Sequence, residues 1–306
     1  MLPKTNSTFS KRWISAVGLA LLAVAFSACA LEGSKVPTGG VVFSAESADN
    51  TDIYTLDDAT GDPVRLTTAN GRDFAPAWSP NKNLIAFLSD RNGTPALWVM
   101  DLIGESKRQI SQADDTISGF RWAPDSRRIG VEISEDDTRR IEVIDIESGE
   151  SILLTALSED VRIGDWSPDG QWLVYAAIKG EDRGIRRRNP TGVDEITVTT
   201  DADVDPRWSP DGRWIAFNRI AEDGSTALIV TDQDGKDATS LSPDESDTSS
   251  FDWAPDSKHI VFVSETTGNA EIYIATPDGK DVTQLTSNRV SDTDPRWNSK
   301  GSSILF

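Results

Sequence analysis

The sequence predicts an all-β fold, a six-bladed β-propeller whose blades are four-stranded antiparallel sheets; seven blades are the alternative. Two observations predict it. A tryptophan motif recurs six times at intervals of 44, 44, 42, 45 and 44 residues. Each interval also contains four short strands separated by turn residues. Four antiparallel strands per interval of this length are typical of one propeller blade.

The first element in the chain is a predicted lipoprotein signal peptide over residues 1–28. A cationic start precedes an apolar run over residues 14–26, which is too short to cross a bilayer comfortably as a permanent helix. The letters FSAC, which end in Cys29, resemble the lipobox of bacterial lipoproteins, a family in which the peptide is cut before a cysteine that then carries the lipid. We therefore expect lipid attachment at Cys29. An ordinary secretory signal that contains a cysteine is the alternative.

Residues 29–40 form the second predicted element, a flexible tether. Their sequence, CALEGSKVPTGG, is small, polar and rich in glycine, as linkers are. Together the anchor and tether predict an exported protein of the bacterial cell envelope, on its periplasmic or extracellular face. Its contact with the membrane would be through the N-terminal lipid.

The third predicted element, residues 41–306, holds the repeats. In each one a strand ends at a tryptophan, and SPDG or a variant of it then turns the chain, since proline, aspartate and glycine suit successive positions of a tight turn. A blade has two apolar faces and buries them only against neighbouring blades, so a large flat side chain suits the wedge between two sheets. The tryptophans with this predicted structural role are Trp78, Trp122, Trp166, Trp208, Trp253 and Trp297.

The two ends of the repeat region complement each other. Residues 41–67 read as a blade without its first strand, and residues 294–306 supply a first strand and its turn. We expect the N- and C-terminal strands to pair and close the ring. The stretches SILF and VVFS both resemble a second strand, so the sequence leaves the register of this closure open.

The net charge and the cysteine count limit the kinds of partner and the covalent links that the chain can have. The formal net charge is −20, so nucleic acid and anionic lipid surfaces would be repelled. A single cysteine excludes a disulfide within the chain. We expect a monomer.

The repeat carries a family resemblance. Its pattern P-x-W-S-P-D-G-x-x-I-A-F, followed by I-Y-x-x-D-x-x-G and L-T, resembles the repeat of the TolB-like propellers over residues 41–306. TolB is a soluble periplasmic protein with an additional N-terminal α/β domain that helps it engage the Tol–Pal envelope system, and residues 29–40 leave no room for such a domain. The resemblance therefore implies a lipid-anchored, propeller-only relative that serves as a non-catalytic scaffold for envelope proteins.

The sequence also predicts that the chain is not an enzyme and has no cofactor. No G-x-S-x-G nucleophile motif is present, and His259 is the single histidine, whereas the propeller lyases that share this repeat resemblance use histidine-rich metal sites. The alternative function is a sensor or substrate-binding module for a small molecule, glycan or cation, with a hydrolase or lyase third.

Aspartates just before the first strands are the predicted binding residues. If the blades close, these carboxylates converge at one mouth of the channel, where they would bind a divalent cation or a basic segment of a partner. The alternative is that they accept backbone hydrogen bonds in tight turns. No particular metal ligands are predicted. The residues are Asp73, Asp160, Asp203, Asp205, Asp247, Asp292 and Asp294.

Overall fold

The computed structural model describes residues 40–47, 50–56, 60–155, 160–180, 183–242 and 247–306. The predicted signal peptide, Cys29 and all but the last residue of the predicted tether lie outside the described residues. The described part of the chain contains strands and turns and no helix. It therefore holds no helix of the length and apolar character needed to span a membrane.

The described residues form seven antiparallel sheets, named A to G here in chain order. Sheet A contains β1 (Val42–Ser47), β2 (Asn50–Leu56) and β3 (Pro63–Arg65). Sheet B contains β4 (Asp73–Trp78), β5 (Leu84–Ser89), β6 (Ala96–Asp101) and β7 (Arg108–Gln109). Sheet C contains β8 (Thr116–Trp122), β9 (Arg128–Glu135), β10 (Thr138–Asp145) and β11 (Ser151–Leu153). Sheet D contains β12 (Val161–Trp166), β13 (Leu173–Ala177), β14 (Gly184–Arg188) and β15 (Glu195–Thr197).

The last three sheets follow the same plan until the chain ends. Sheet E contains β16 (Asp203–Trp208), β17 (Trp214–Ile220), β18 (Thr226–Asp232) and β19 (Thr239–Ser240). Sheet F contains β20 (Thr248–Trp253), β21 (Ile260–Ser264), β22 (Glu271–Ala275) and β23 (Val282–Gln284). Sheet G contains β24 (Arg296–Trp297) and β25 (Ile304–Leu305). Sheets B to F are four-stranded with strands in sequence order, which confirms the predicted all-β architecture of four-stranded antiparallel units.

In sheets B to F, burial falls from the second strand to the fourth. Strands β13 and β21 are buried along their whole length, whereas all three residues of β11 are exposed. Strands covered on both faces require continuous apolar runs such as LVYAA and IVFVS, and a short polar outer strand can face water. The apolar second strands therefore form the centre of each sheet's packing.

Neighbouring sheets are joined by apolar clusters. Ile53 of sheet A packs with Phe87 of sheet B, and comparable clusters join each later pair of sheets as far as F and G. No sheet of this kind can bury two apolar faces alone, so successive packing supplies the core.

The repeat tryptophans lie at these junctions. Trp166, Trp208 and Trp253 are 3%, 4% and 6% exposed. In two of the repeats, the indole N–H also donates to a backbone carbonyl of the preceding repeat. Trp122 Nε1 lies 3.2 Å from Ala77 O, and Trp166 Nε1 lies 3.1 Å from Arg121 O. These side chains thus join consecutive sheets by packing and, in part, by a hydrogen bond.

The two terminal sheets are separate in the structure. Strand β1 pairs with β2, and β24 pairs with β25; no register among the described residues links sheet A with sheet G. The physical reason is the overlap expected from the sequence, because β25 takes the place next to β24 that β1 would need. Leu305 is 77% exposed. The predicted ring closure and the number of blades are therefore not confirmed.

Candidate binding site on the inner strands

The first strands of sheets B to G lie on the inner side of the molecule. Strand β12 contacts both β8 and β16, and β20 contacts β24, whereas the fourth strands contact chiefly the third strands of their own sheets. The first strands therefore converge, and we call them the inner strands. Residues on them can approach residues of several other sheets.

A bulge interrupts each of the five complete inner strands shortly before its tryptophan. In β16 the register shifts between Val204 and Arg207, and Asp205 adopts a φ of +55°. A bulge adds an unpaired residue, bends the strand and redirects the next side chains. Gly164 in β12 marks how closely the inner strands approach, because a Cβ there would lie 2.5 Å from Pro206 O.

The residue directly before each repeat tryptophan is charged in five of the six repeats. We call these five residues, which alternate in sign, the inner charge row: Arg121, Asp165, Arg207, Asp252 and Arg296. The sixth place is taken by Ala77. The members interact electrostatically across sheets, since Arg207 is influenced by the other four. Three arginines and two aspartates give the row a net charge of 3 − 2 = +1, in a chain whose formal net charge is −20.

Both aspartates of the row are occupied by backbone N–H groups. Asp165 Oδ1 accepts from Trp166 N at 2.9 Å, and the backbone N–H of Trp208 in the next sheet acts to lower the pKa of Asp165. Asp252 Oδ2 accepts from Trp297 N in the next sheet at 2.7 Å. Burial raises the pKa of Asp165 and of Asp252, against the opposing effect of the neighbouring arginines. The carboxylate of Asp252 therefore joins two adjacent inner strands, whereas that of Asp165 is held by the backbone of its own strand.

The arginines of the row have spare hydrogen-bond donors. Arg121 Nη1 donates to Phe120 O at 2.9 Å, and Arg296 Nη1 donates to Phe251 O at 3.2 Å and to Pro295 O at 3.3 Å. The Arg207 side chain donates no hydrogen bond within the described residues; its guanidinium lies 5.7 Å from the centroid of the Phe251 ring. Burial and then the nearby Arg121 and Arg296 lower the pKa of Arg207. With its carboxylates occupied and its guanidinium donors spare, the row is suited to an anionic group.

Three of the predicted aspartates are buried in ion pairs. Asp73 Oδ1 lies 2.8 Å from Arg91 Nη2, and Asp203 accepts from Arg219 Nε and Nη2 at 2.8 and 3.0 Å. Asp160 lies 2.9 Å from Arg139 Nη1 and 3.2 Å from Lys179 Nζ. Each carboxylate is thus neutralised by a cation of its own neighbourhood.

The other four predicted aspartates lie nearer the surface. Asp205 and Asp294 are exposed and adopt positive φ values of +55° and +53°, a conformation that aspartate tolerates better than most residues. Asp247 Oδ1 accepts from Thr226 N at 2.9 Å, and Asp292 Oδ2 accepts from Asn288 Nδ2 at 2.8 Å. Nowhere in the described ranges do three or more His, Cys, Asp or Glu side chains lie close enough together to hold a metal ion.

The sequence prediction missed the inner charge row, although the signal is present in the repeat. Aligned on tryptophan, the preceding residue reads A, R, D, R, D, R. The alternation at this position indicates a shared site only once the inner strands are known to converge, and the sequence by itself does not show that convergence.

Comparison with known proteins relates these sheets to a known family. The family model of the TolB beta propeller domain matches residues 28–200 and 191–306. The solved structure of TolB from Acinetobacter baumannii is similar with a TM-score of 0.56 and 18% identity, over 79% of this chain and 61% of that one. An oligogalacturonate lyase in complex with manganese is similar with a TM-score of 0.70 and 17% identity, over 88% of this chain and 82% of that one.

A curated relative has a name that indicates an enzyme. The Bacillus subtilis peptidase YuxL is 28% identical over 162 residues, which are 41% of this chain and 25% of that protein. The chain spans less than half of the length of the curated relatives it matches. The prediction that the chain is not an enzyme is wrong as an exclusion, because propellers of this kind belong to proteins named as a peptidase and a lyase. The lack of a G-x-S-x-G motif and of a histidine cluster in the sequence is therefore not a sufficient reason to exclude an enzyme.

Proposed function

Because this chain belongs to the TolB beta propeller domain family, we propose that it is a monomeric cell-envelope propeller that binds a protein partner at its inner strands. The inner charge row is the observation that supports this site most. On an otherwise acidic chain it brings three arginines, which alternate with two aspartates, close enough to repel one another electrostatically. A bound anionic group of a partner would relieve this repulsion.

Capture of partners from native envelopes tests this function. We expect the wild-type chain to retain an envelope protein, and the variant R121Q/R296Q to lose most of it. The matched control R213Q/R289Q removes the same two positive charges from exposed positions outside the row, so it should retain the partner. Equal retention by both variants would contradict the proposed site.

The envelope location that we propose depends on Cys29. The lipobox-like letters before Cys29 support lipid attachment there, with residues 1–28 removed and residues 29–40 as the tether. The variant Cys29→Ser should move the protein from the membrane fraction to the soluble fraction. An unchanged distribution between the two fractions would contradict the anchor.

We further propose that sheets G and A together form the sixth blade of a closed ring. Sheet A lacks an inner strand, and sheet G contains an inner strand with only one strand beside it, so each supplies what the other lacks. Closure would require β1 to replace β25 beside β24. Hydrogen exchange of the β1 amides that do not face β2 tests this arrangement: slow exchange supports closure, and fast exchange contradicts it.

A second candidate function is the binding of a small molecule, glycan or divalent cation. The similarity to the manganese-bound oligogalacturonate lyase, at a TM-score of 0.70, favours it. A thermal-shift comparison with Mn²⁺ and with oligogalacturonate tests it, because a ligand that binds the native state raises the melting temperature. If neither Mn²⁺ nor oligogalacturonate raised the melting temperature, this second candidate function would be contradicted.

A further inference from the structure

We propose that the inner charge row binds one carboxylate group carried by a neutral or basic peptide segment of the partner, an inference that rests on the proposed function. The row is a set of five side chains on five consecutive inner strands, and its geometry defines both what it can bind and what it rejects.

The unused hydrogen-bonding groups of the row are donors. Each guanidinium has five N–H groups, and the described residues take up one or two bonds from Arg121 and Arg296 and none from Arg207. The carboxylates of Asp165 and Asp252 already accept backbone N–H groups. A carboxylate ligand matches this imbalance, because planar guanidinium groups bind it through paired, charge-assisted hydrogen bonds.

The charge of the whole molecule limits how many negative charges the ligand can carry. The row has a net charge of +1, whereas the chain has −20. A polyanion would meet repulsion from the surrounding surface before it reached the row, and the repulsion grows with its charge. A single carboxylate is attracted to the arginines of the row, and basic residues beside it in the peptide are attracted to the acidic surface around the row.

A cation–π contact with Phe251 restrains the donor at the middle of the row. Its guanidinium carbon lies 5.7 Å from the ring centroid, and the aromatic face restrains the side chain while leaving its N–H edges open. Arg121 and Arg296 are exposed; they lie two repeats before and two repeats after Arg207, and both interact with it electrostatically. The expected ligand position is therefore beside Arg207, with Arg121 or Arg296 as the second contact.

Titration calorimetry with two peptides tests this proposal on the full chain at low salt. One is a capped nine-residue peptide with a single glutamate, two lysines and otherwise glycine and serine; the other carries glutamine in place of the glutamate. We expect the glutamate peptide to bind about tenfold more tightly, the difference that a charge-assisted contact typically makes. R207Q should abolish this difference in affinity. R121Q should reduce it, and because Arg121 is exposed we expect this variant to fold. R213Q, an equal change of charge outside the row, should preserve it.

Three results would overturn the proposal. Equal affinities of the two peptides, or binding of neither, would show that the row does not select a carboxylate. Preservation of the difference in R207Q and R121Q would place the peptide site elsewhere. Tighter binding of trigalacturonate than of the glutamate peptide, lost in R207Q, would assign the row to an anionic sugar. Envelope capture that survives such a failure would leave the proposed function standing and remove this inference alone.

Discussion

At the scale of the residue, position along an inner strand decides what an aspartate does. Five residues before the tryptophan, Asp203 is buried and bound to Arg219. Three residues before it, Asp205 is exposed on the bulge. One residue before the tryptophan of the next repeat, Asp252 accepts from Trp297 N and joins two inner strands. The same side chain therefore serves as an ion-pair partner, a turn residue or an interstrand acceptor.

The buried ion pair predicts a selective loss of stability. Removing one partner of a buried pair costs about 3–5 kcal/mol, and because Arg219 is one-third exposed, solvent should compensate part of this loss. We expect Asp203→Asn to lower the free energy of unfolding by about 2 kcal/mol in urea titrations. Asp205→Asn, two residues away, should change it by less than about 0.5 kcal/mol, as surface substitutions do. Equal losses in the two variants would contradict the assigned roles.

The pKa of Asp165 predicts a pH dependence of unusual sign. Burial raises this pKa above its ordinary value of 3.8, so the folded state holds the proton to higher pH than the unfolded state. Wild-type stability should then fall as pH rises from 3.8 through the folded pKa. Asp165→Asn removes this titrating carboxyl group. The free energy of unfolding of the variant, relative to wild type, should therefore increase between pH 3.8 and the folded pKa and stay constant at higher pH.

Asp169→Asn provides a control of opposite sign. The hydroxyl of Ser167 lowers the pKa of Asp169 below 3.8, so its contribution is present above pH 3.8 and is lost as pH falls through the folded pKa. Unfolding measured across this pH range should show the difference between Asp169→Asn and wild type shrinking towards acid. Parallel behaviour of the two variants would contradict the assigned environments.

At the scale of the element, the inner strands are held by close backbone approach. A Cβ on Gly164 would lie 2.5 Å from Pro206 O and 2.7 Å from Val174 O, both backbone atoms, whereas one on Gly119 would meet its nearest neighbour at 3.6 Å. We expect Gly164→Ala to lower the free energy of unfolding by about 2 kcal/mol or more through overpacking. Gly119→Ala should stay within about 1 kcal/mol of wild type. Thermal and urea unfolding measure both, and a harmless Gly164→Ala would contradict the close approach.

The indole hydrogen bond distinguishes two of the buried repeat tryptophans. Trp166 and Trp253 are both buried, but Trp166 Nε1 donates to Arg121 O, whereas Trp253 Nε1 has no hydrogen-bond partner in the part of the chain that the structure describes. Trp166→Phe should therefore cost about 1 kcal/mol more than Trp253→Phe, the usual net contribution of a hydrogen bond. Unfolding titrations of the two variants measure this difference. Equal costs would mean that packing alone joins these sheets.

How much the sequence predicts differs among these elements. The period of the tryptophans and the SPDG turns predict the four-stranded units, because strand length, turn chemistry and burial are local properties. The ends are different: β24 finds a partner in β25 and β1 finds one in β2, and local patterns cannot choose between two strands that suit the same place. Asp203 and Arg219, which form an ion pair, are 16 residues apart in the sequence. They meet across a hairpin, so this pair can be predicted only when the register of the hairpin is known.

At the scale of the whole molecule, charge is divided between the surface and the inner strands. The chain carries −20, yet its inner charge row carries three arginines among five residues. The residue before the tryptophan differs from repeat to repeat. These residues come together in one row only because the inner strands converge. The row therefore depends on the entire arrangement of sheets, and a single repeat in isolation would show an ordinary exposed charge.

Arginine-selective chemical labelling in native envelopes tests most directly whether the inner strands hold a partner. Arg121, Arg296, Arg213 and Arg289 are all exposed in the isolated chain, so all four should react in the purified protein. We predict that Arg121 and Arg296 lose most of their reactivity in native envelopes, while Arg213 and Arg289 keep theirs. Unchanged reactivity of Arg121 and Arg296, with or without protection of the other two, would contradict the account.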